Sequence, residues 1–402
     1  MDSTNVRDSV ARLAAEVIAL RRDFHRHPEP GFEETRTAAK VAEWLSGCPG
    51  FRVRTGVAQT GVVADLPAPD PAAPTVLLRA DMDALRVEEA NEDLPYRSET
   101  PGIMHACGHD AHTAILLGAA RVLSEQRDAL TSGVRLVFQP AEEGPGGAEP
   151  MIAEGVLRDP KPDAAFGLHV WSKLPVGQAA VTPGPIMAFT DELQLRIRGR
   201  GGHGAVPQET VDPIHATSQL IVMLQSLVSR SIDPLASSVL SFGKIRGGSV
   251  MNAIADEVNL EGTLRNFLPE TRTLMLRRLR EVAEGIDRSL GTTTEVTVIE
   301  RYPALVNDPG MTRLAAEVAE GCLGVGRVHA GMRLMGGEDM AYYLQEVPGC
   351  FVFLGAGNPE KGCDRPHHHP EFNIDEDVLP LGIELLVRLV ERIGRGSEGN
   401  TI

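Results

Sequence analysis

Residues 75–83 have the sequence TVLLRADMD, in which a short apolar run leads into two carboxylates. A continuous apolar run of this length is typical of a strand that is buried on both faces of a parallel sheet. Asp81 and Asp83 follow the strand at its carboxyl end, where open α/β sheets build their sites. The stretch therefore predicts an α/β fold with a functional site at this edge, although an Asp at this place can also serve only as a helix N-cap.

Two further predicted strands end in side chains of the same kind. Residues 134–138 lead to the adjacent carboxylates Glu142 and Glu143, and residues 164–168 lead to His169. Adjacent carboxylates are costly to hold together unless a cation lies between them or one of them is protonated. Three successive strand ends that carry such groups indicate a single site at the carboxyl edge of the sheet.

The segment 105–112, HACGHDAH, contains a thiol, three imidazoles and a carboxylate. Cys107 and His109 lie two residues apart, so on extended or loop backbone both side chains could reach one point. Thiolate and imidazole are ligands that borderline-soft divalent metals favour. A buried cysteine beside surface histidines is the alternative for an isolated Cys-x-His pair, but the strand ends described above favour a metal site.

The pattern of the chain changes after the third of these strands. Apolar and polar side chains alternate in residues 193–197, which is typical of a strand with one face in solvent. Helices and strands then follow in the order β-α-β-β-α-β, the ferredoxin-like arrangement. We therefore predict an α/β domain formed by residues 1–186 and 301–402, with a ferredoxin-like domain of residues 187–300 inserted in it. The edge strands of the inserted domain favour pairing with another subunit.

Three polar side chains of the inserted domain are suited to holding a ligand. His203 lies in a glycine-rich loop, which allows close approach of the backbone to a bound molecule. Asn252 and Arg265 supply an amide and a guanidinium that can bind a carboxylate. Taken singly, Asn252 could be a turn residue and Arg265 a surface charge.

The α/β pattern returns after the insertion. The last predicted core strand, residues 350–354, is followed by the consecutive histidines His367, His368 and His369. A histidine run can be a solvated accident, but a remaining metal ligand would be needed at this place in the chain. The run by itself leaves open which histidine is the ligand.

Composition limits the classes of function. The chain of 402 residues has a formal net charge of −16 and 4% aromatic residues, so we expect no affinity for nucleic acid or anionic membranes. Five cysteines without scaffold spacing indicate reduced thiols and a cytoplasmic location. The first ten residues lack the features of a signal peptide, and no apolar run approaches the roughly 20 residues of a membrane span.

Together these motifs resemble the dinuclear metal amidohydrolases that include hippurate hydrolases, N-acyl-amino-acid amidohydrolases and auxin-conjugate (IAA-amino acid) hydrolases. That family belongs to the superfamily of aminoacylases and glutamate carboxypeptidases. The similarity runs from Arg21 to about Leu379, with the motifs in family order. It implies a doubly wound, phosphorylase/hydrolase-like metallopeptidase domain with an inserted lid and dimerisation domain, and hence a homodimer.

The resemblance also implies an activity. The expected reaction is hydrolysis of the amide bond of an N-acyl amino acid, which yields a carboxylate and a free amino acid. A dipeptidase or carboxypeptidase, or a deacetylase of an N-acetyl-diaminopimelate type of substrate, are alternatives, and a non-catalytic binding protein is a further one. The implied cofactors are two divalent metal ions per subunit, manganese or zinc, with nickel or cobalt as alternatives.

The resemblance finally implies roles for individual residues. The implied metal ligands are the bridging Cys107, His109, Glu143, His169 and His368. His368 is chosen because the family ligand lies two residues before a proline, here Pro370. Glu142 corresponds to the catalytic carboxylate, and Asp83 to an aspartate just outside the ligands. His203, Asn252 and Arg265 match residues of the lid around the substrate, and His203 is expected to donate to the oxyanion from the partner subunit.

Overall fold

The structure is a computed structural model, and it describes residues 3–396. The helices are α1 (Ser3–Arg26), α2 (Thr35–Ser46), α3 (His109–Glu125), α4 (Ala148–Ala153), α5 (Pro213–Arg230), α6 (Pro269–Leu290), α7 (Pro309–Leu323), α8 (Met340–Glu346) and α9 (Val378–Gly394). The strands are β1 (Arg52–Val57), β2 (Gly61–Leu66), β3 (Thr75–Asp81), β4 (Gly133–Gln139), β5 (Ala164–Pro175), β6 (Ala179–Ala180), β7 (Gly184–Met187), β8 (Phe189–Arg198), β9 (Gly202–His203), β10 (Ser238–Gly247), β11 (Ala253–Ile254), β12 (Glu257–Asn266), β13 (Thr293–Glu300), β14 (Leu305–Asn307), β15 (Val328–His329) and β16 (Gly349–Gly357).

The chain divides into two compact units. The first contains the described residues up to Gly184, Val306–Met332 and the described residues from Asp339 onward, and the second contains Pro185–Leu305 and Arg333–Glu338. The last of these segments is absent from the predicted inserted domain of residues 187–300. It belongs to the second unit because Leu334 N donates to Ile186 O at 2.8 Å and Ala188 N donates to Gly336 O at 2.9 Å. These are backbone contacts between segments far apart in sequence, for which the residue pattern carries no signal.

The first unit is built on an eight-stranded mixed sheet with the order β1-β2-β4-β3-β5-β16-β6-β15. Its centre, β4-β3-β5-β16, is parallel. Outside the centre, β1 pairs antiparallel with β2, β2 pairs antiparallel with β4, and β6 pairs antiparallel with β16. Every residue of β3, β4 and β16 is buried, as expected for strands covered on both faces. Helices α1, α3 and α9 pack together, and α8 packs against β5 and β16. The predicted α/β fold is confirmed.

The parallel centre of this sheet decides where the site lies. The carboxyl ends of parallel strands meet at one edge, so the segments that follow β3, β4, β5 and β16 converge there. Asp83, Glu142, Glu143 and the three consecutive histidines lie in these segments. His169 instead lies within β5, which continues to Pro175 beyond the predicted strand end, just past the residues that pair with β3. Among residues 3–396, no helix has the length and apolar character needed to cross a bilayer.

The second unit contains an antiparallel four-stranded sheet with the order β10-β12-β8-β13. Helices α5 and α6 pack against each other and against this sheet, so the chain order β8-α5-β10-β12-α6-β13 gives the predicted ferredoxin-like arrangement. Leu193, Leu195 and Ile197 of β8 are buried in its core. Helix α5 begins as its sequence indicates, because the Asp212 carboxylate accepts hydrogen bonds from the amides of Ile214 and His215.

Candidate metal centre

A glycine turn brings the thiol and the first imidazole of the HACGHDAH segment together. Gly108 has φ +90°, in the left-handed region, and a Cβ added there would lie 2.5 Å from a methyl group of Val170. Helix α3 starts directly after it at His109. The metal-binding atoms of Cys107, His109 and His169 consequently all lie within 4.8 Å of one another, and the three side chains are buried.

His169 presents one ring nitrogen to this cluster. Its Nδ1 donates to Val170 O at 2.7 Å, which leaves Nε2 as the lone-pair nitrogen, 3.4 Å from Cys107 Sγ. Burial and the neighbouring imidazoles of His112 and His367 hold the pKa of His169 well below its usual range. The ring is therefore neutral, the form that binds metals.

Glu143 and His368 complete the cluster on its other side. Glu143 Oε1 lies 3.3 Å from His368 Nε2 and 3.8 Å from His109 Nε2. The metal-binding atoms of Cys107, Glu143 and His368 also lie within 4.8 Å of one another. His368 has φ +66°, and its amide donates to Ala106 O at 2.8 Å, so the backbone is turned beside the Cys107 segment.

The two neighbouring histidines have other partners. His367 Nε2 donates to Val170 O at 2.9 Å, and the His367 ring stacks on Trp171 with a centroid separation of 4.3 Å. His369 Nδ1 accepts a hydrogen bond from the amide of Glu371 at 3.0 Å. Of the three consecutive histidines, the middle one is thus the one that the structure places with the thiol and the carboxylate.

Asp83 connects two members of the cluster. Its Oδ1 accepts a hydrogen bond from His109 Nδ1 at 3.2 Å, and its Oδ2 accepts one from the amide of Glu143 at 2.9 Å. The first bond turns His109 Nε2 toward the cluster, and the second fixes the backbone that carries the Glu143 carboxylate. Asp83 is buried and acts on the other side chains rather than facing the centre of the cluster.

Glu142 lies at the same place. It is 7% exposed, and one of its carboxylate oxygens lies within 4.8 Å of the metal-binding atoms of His109 and Glu143. Adjacent residues of one turn therefore contribute two carboxylates to one cluster, which is the arrangement that the sequence predicts for a site shared with a cation.

The donor set fits a divalent metal. Within residues 3–396, His109 Nε2 and Glu143 Oε1 are buried and make no hydrogen bond, a costly state for polar atoms that a cation between them would relieve. Burial by itself would lower the pKa of His109, but the carboxylates of Asp81, Asp83 and Glu143 outweigh it and raise that pKa to about 10. The field that favours a proton on this imidazole also favours a metal cation at Nε2.

His112 is a residue that the sequence analysis leaves without a role. Its Nδ1 donates to Asp81 Oδ1 at 2.6 Å, and its Nε2 accepts the amide of Val170 at 2.9 Å. Both ring nitrogens are used, so His112 does not serve as a ligand even though Asp81, His109 and His112 lie close together. It instead fixes the peptide that orients His169. The spacing of three from His109, which places both rings on one helix face, is the signal that could have found it.

The second unit has a separate cleft of about 570 Å³ whose lining includes His203 and Asn252. His203 pairs with Ala253 in the β9–β11 ladder, and the amide of Ala205 donates to His203 Nδ1 at 3.0 Å, so the proton of the neutral ring is on Nε2. Arg265 lies on β12 outside this lining and is half-buried. Burial lowers the pKa of its guanidinium, against the opposing charges of Asp191 and Glu192.

The predicted residues thus fall into two groups. The first unit brings together Cys107, His109, Glu142, Glu143, His169 and His368, with Asp83 behind them. The second unit places His203 and Asn252 in one cleft and Arg265 elsewhere on the sheet.

A parallel-centred α/β sheet with clustered thiol, imidazole and carboxylate groups at its carboxyl edge fits the class of metal-dependent hydrolases. The model of peptidase family M20/M25/M40 matches residues 77–392, and the chain belongs to this family. It is accordingly a hydrolase that acts on amide bonds.

Individual relatives match nearly the whole chain. An N-acetyl-L-cysteine deacetylase of Bacillus subtilis (strain 168) is 40% identical over 400 residues, which cover 98% of this chain and 92% of the relative. Thermostable carboxypeptidase 1 of Saccharolobus solfataricus is 40% identical over 381 residues, which cover 94% of this chain and 95% of the relative. The crystal structure of a dinuclear metal-binding peptidase of the M20 family from Bacillus subtilis superposes with a TM-score of 0.82 at 34% identity, covering 94% of this chain and 98% of that one.

Proposed function

We propose that this protein is a metal-dependent amidohydrolase that cleaves N-acyl amino acids to a carboxylate and a free amino acid. The observation that carries the proposal is the position of Glu142, a carboxylate within 4.8 Å of two metal-binding side chains, at a cluster that fits a cation. The similarity to an N-acetyl-L-cysteine deacetylase supports the class of substrate.

The proposed cofactors are two divalent cations. Cys107, His109, Glu143, His169 and His368 would hold them. The dinuclear peptidase of the M20 family supports the number of ions. A thiolate ligand favours zinc, and manganese is the alternative, with nickel and cobalt next. When bound, such ions polarise the scissile carbonyl and lower the pKa of water toward neutrality.

Glu142 is proposed as the general base and acid. Its carboxylate takes the proton of the attacking water and returns it to the nitrogen of the leaving amino acid. Asp83 keeps His109 and the backbone of Glu143 in place while this happens. Because Glu142 is nearly buried, water is largely excluded around it, which strengthens its electrostatic contacts.

The side chains of the second unit are proposed to hold the substrate. His203, whose Nε2 carries the proton, is suited to donate a hydrogen bond to the oxyanion of the tetrahedral intermediate. Asn252 and Arg265 are proposed to bind the carboxylate of the amino-acid part. Within residues 3–396 no carboxylate forms an ion pair with Arg265, so its charge is available to a ligand.

We also propose a homodimer formed through the second unit, with His203 donated to the partner's site. Strand β10 is an edge of its sheet, and the apolar side chains of Val222, Met223 and Ile245 on α5 and β10 are exposed. An unpaired edge beside apolar surface favours association. The cytoplasmic location remains part of the proposal, because all five cysteines are free thiols.

A carboxypeptidase activity is the second candidate, since thermostable carboxypeptidase 1 is as similar to this chain as the deacetylase is. Amino-acid release from benzoyl-, acetyl- and long-acyl amino acids and from dipeptides separates the two. The protein is stripped of metal and reloaded with zinc or manganese before the assay. Metal-dependent release confined to the acyl amino acids supports the amidohydrolase, whereas cleavage of dipeptides instead assigns the protein to the peptidases.

A further inference from the structure

The loop between α1 and α2 lies against two of the strand ends that build the metal centre. The amide of Ala84 donates to Glu29 O at 2.8 Å, and Pro30 forms an isolated parallel bridge with Ala84. Gly31 is so close to the next strand end that an added Cβ would lie 2.9 Å from the Cα of Ala141. A loop in such contact with both segments can control their conformation, and none of the roles described so far uses it.

Glu34 is the last residue of this loop before α2, and its carboxyl group connects the loop to both neighbouring segments. It is fully buried; its Oε1 accepts the amide of Ala141 at 2.8 Å, and its Oε2 accepts the hydroxyl of Thr60 at 2.6 Å. Among residues 3–396, no Lys, Arg or His forms an ion pair with Glu34. Burial of a carboxyl group without an ion-pair partner costs free energy unless hydrogen bonds offset it. The two hydrogen bonds to Ala141 and Thr60 are therefore what Glu34 contributes at this position.

The amide that Glu34 holds belongs to a strained residue. Ala141 has φ +56°, in the left-handed region that favours glycine, and its carbonyl accepts the amide of Gly146 at 3.0 Å. Side chains other than glycine occupy this region only where the surroundings impose it. Glu142 and Glu143 follow directly, so a return of Ala141 to an ordinary negative φ would swing both carboxylates away from their present positions.

We infer that Glu34 is a positioning residue, whose hydrogen bond to the Ala141 amide holds the turn that directs Glu142 and Glu143 into the metal centre. The inference rests on the roles proposed above for these two carboxylates. Among residues 3–396, the side chain of Glu34 has no hydrogen bond to a candidate ligand; it acts through the backbone of Ala141, as Asp83 acts through the amide of Glu143.

Substitution of Glu34 tests the inference, with zinc as the probe. Glu34→Ala removes both hydrogen bonds, and we expect zinc affinity, measured by competition with a chelator, to fall about 10- to 100-fold and kcat to fall by a similar factor. Glu34→Gln should retain both values within about threefold, because its amide oxygen can accept from Ala141 and its amide nitrogen can donate to Thr60.

Glu29→Ala is the matched control from the same loop. Glu29 caps α2 by accepting the amides of Arg36 and Thr37, so its loss lowers the melting temperature without releasing the Ala141 amide. We expect its zinc affinity and kcat to stay within about threefold of the unmodified protein, since the turn keeps its anchor. A merely structural role of Glu34 would instead make Glu34→Ala and Glu29→Ala alike in zinc affinity and kcat, and this result would overturn the inference.

Two further results are decisive. If Glu34→Gln is as impaired as Glu34→Ala, the charge rather than the hydrogen bond matters, and the inference is wrong. If Glu34→Ala yields no folded protein, Glu34→Asp takes its place: the shortened side chain keeps the charge but not the reach to Ala141, and unchanged zinc affinity in that variant would overturn the inference.

The zinc measurement also keeps this inference separate from the proposed function. Weakened zinc binding by Glu34→Ala in a protein that cleaves none of the substrates supports the positioning role and contradicts the proposed activity. An active protein in which Glu34→Ala matches Glu29→Ala contradicts the positioning role alone.

Discussion

The candidate metal-binding cluster of the first unit and the cleft of the second unit that contains His203 and Asn252 differ in how firmly the protein holds their side chains. In the cluster, His109 and His169 are buried, and each has one ring nitrogen fixed by a hydrogen bond to Asp83 or to the Val170 carbonyl. In the cleft, His203 is exposed, and within residues 3–396 the amide of Ala205 is the one hydrogen-bond partner of its ring. The protein therefore holds the candidate metal ligands in place through its own hydrogen bonds, whereas it holds His203 less firmly.

The largest effect is expected from Glu142→Gln, which removes proton transfer from the buried cluster without altering its size. Loss of a general base typically costs about 10²- to 10⁴-fold in rate, so turnover should fall by this factor. Metal content per chain, measured by atomic absorption, should be unchanged and serves as the control. Turnover equal to that of the unmodified protein would remove Glu142 from the mechanism.

Cys107→Ala should break the organisation of the cluster itself. Without the central thiol we expect the bound metal to fall from two ions per chain to one or none, with a corresponding loss of activity. Cys48→Ala is the matched control, since Cys48 is another buried thiol and its sulfur contacts the carbonyl of Trp44 instead. Full metal occupancy in Cys107→Ala would refute the bridging assignment.

The cleft is tested by His203→Ala. Removal of one oxyanion donor typically costs about 10²- to 10³-fold in kcat, and we expect a loss in this range with unchanged metal content. His215→Ala is the control, because His215 is an exposed histidine of α5 in the same unit. The comparison of the two regions would fail if His203→Ala lost metal, since a cleft side chain would then belong to the cluster.

Asp83→Asn tests whether the hydrogen bonds of Asp83 hold the cluster in place. An amide offers one acceptor where the carboxylate serves both His109 and the Glu143 backbone, so zinc affinity should fall about 10- to 100-fold. Asp163→Asn is a matched control. Asp163 accepts a hydrogen bond from the amide of Thr75 at 2.8 Å, at the start of β3, whereas Asp83 follows the end of β3. Asp163→Asn should change thermal stability but not zinc affinity. Equal zinc affinities in the two variants would contradict the orienting role of Asp83.

The fold and the unit that carries each candidate group could be predicted because they depend on local pattern. Buried apolar runs indicate parallel strands, and parallel strands bring their carboxyl ends together, so Asp83, Glu143 and His169 could be expected at one edge before any coordinates. The ferredoxin-like order of the second unit likewise follows from the spacing of its strands and helices. Resemblance to a family then supplied the roles.

The remaining features depend on contacts that the residue pattern does not encode. His368 differs from its two neighbours only through a turned backbone and an amide bond to Ala106, a residue 262 positions earlier in the numbering. The hydrogen bond from Ala141 to Glu34 spans 107 positions. Helix α3 begins at His109 because the left-handed turn at Gly108 sets its boundary.

The smallest expected effect concerns stability rather than catalysis, and it arises in the loop that supports the cluster. Burial raises the pKa of Glu34 to about 7, although the hydrogen bonds from Thr60 and Ala141 oppose the shift. In the unfolded chain a glutamate titrates near about 4.3. Between these two pH values the folded protein retains a proton on Glu34 that the unfolded chain releases. The contribution of Glu34 to the free energy of unfolding is therefore complete below the pKa of the unfolded chain and is lost as the pH rises to about 7.

The glutamine of Glu34→Gln does not titrate, so this variant does not lose stability through position 34 as the pH rises. The free energy of unfolding of the metal-stripped protein, measured by denaturant titration from acid to neutral pH, should fall relative to that of Glu34→Gln by at most about 1.4 kcal/mol per pH unit. Parallel curves for Glu34→Gln and the unmodified protein would show that folding does not shift the pKa of Glu34. Between pH values of about 4.3 and 7 the loop would then hold the Ala141 turn through a charged rather than a protonated carboxyl group.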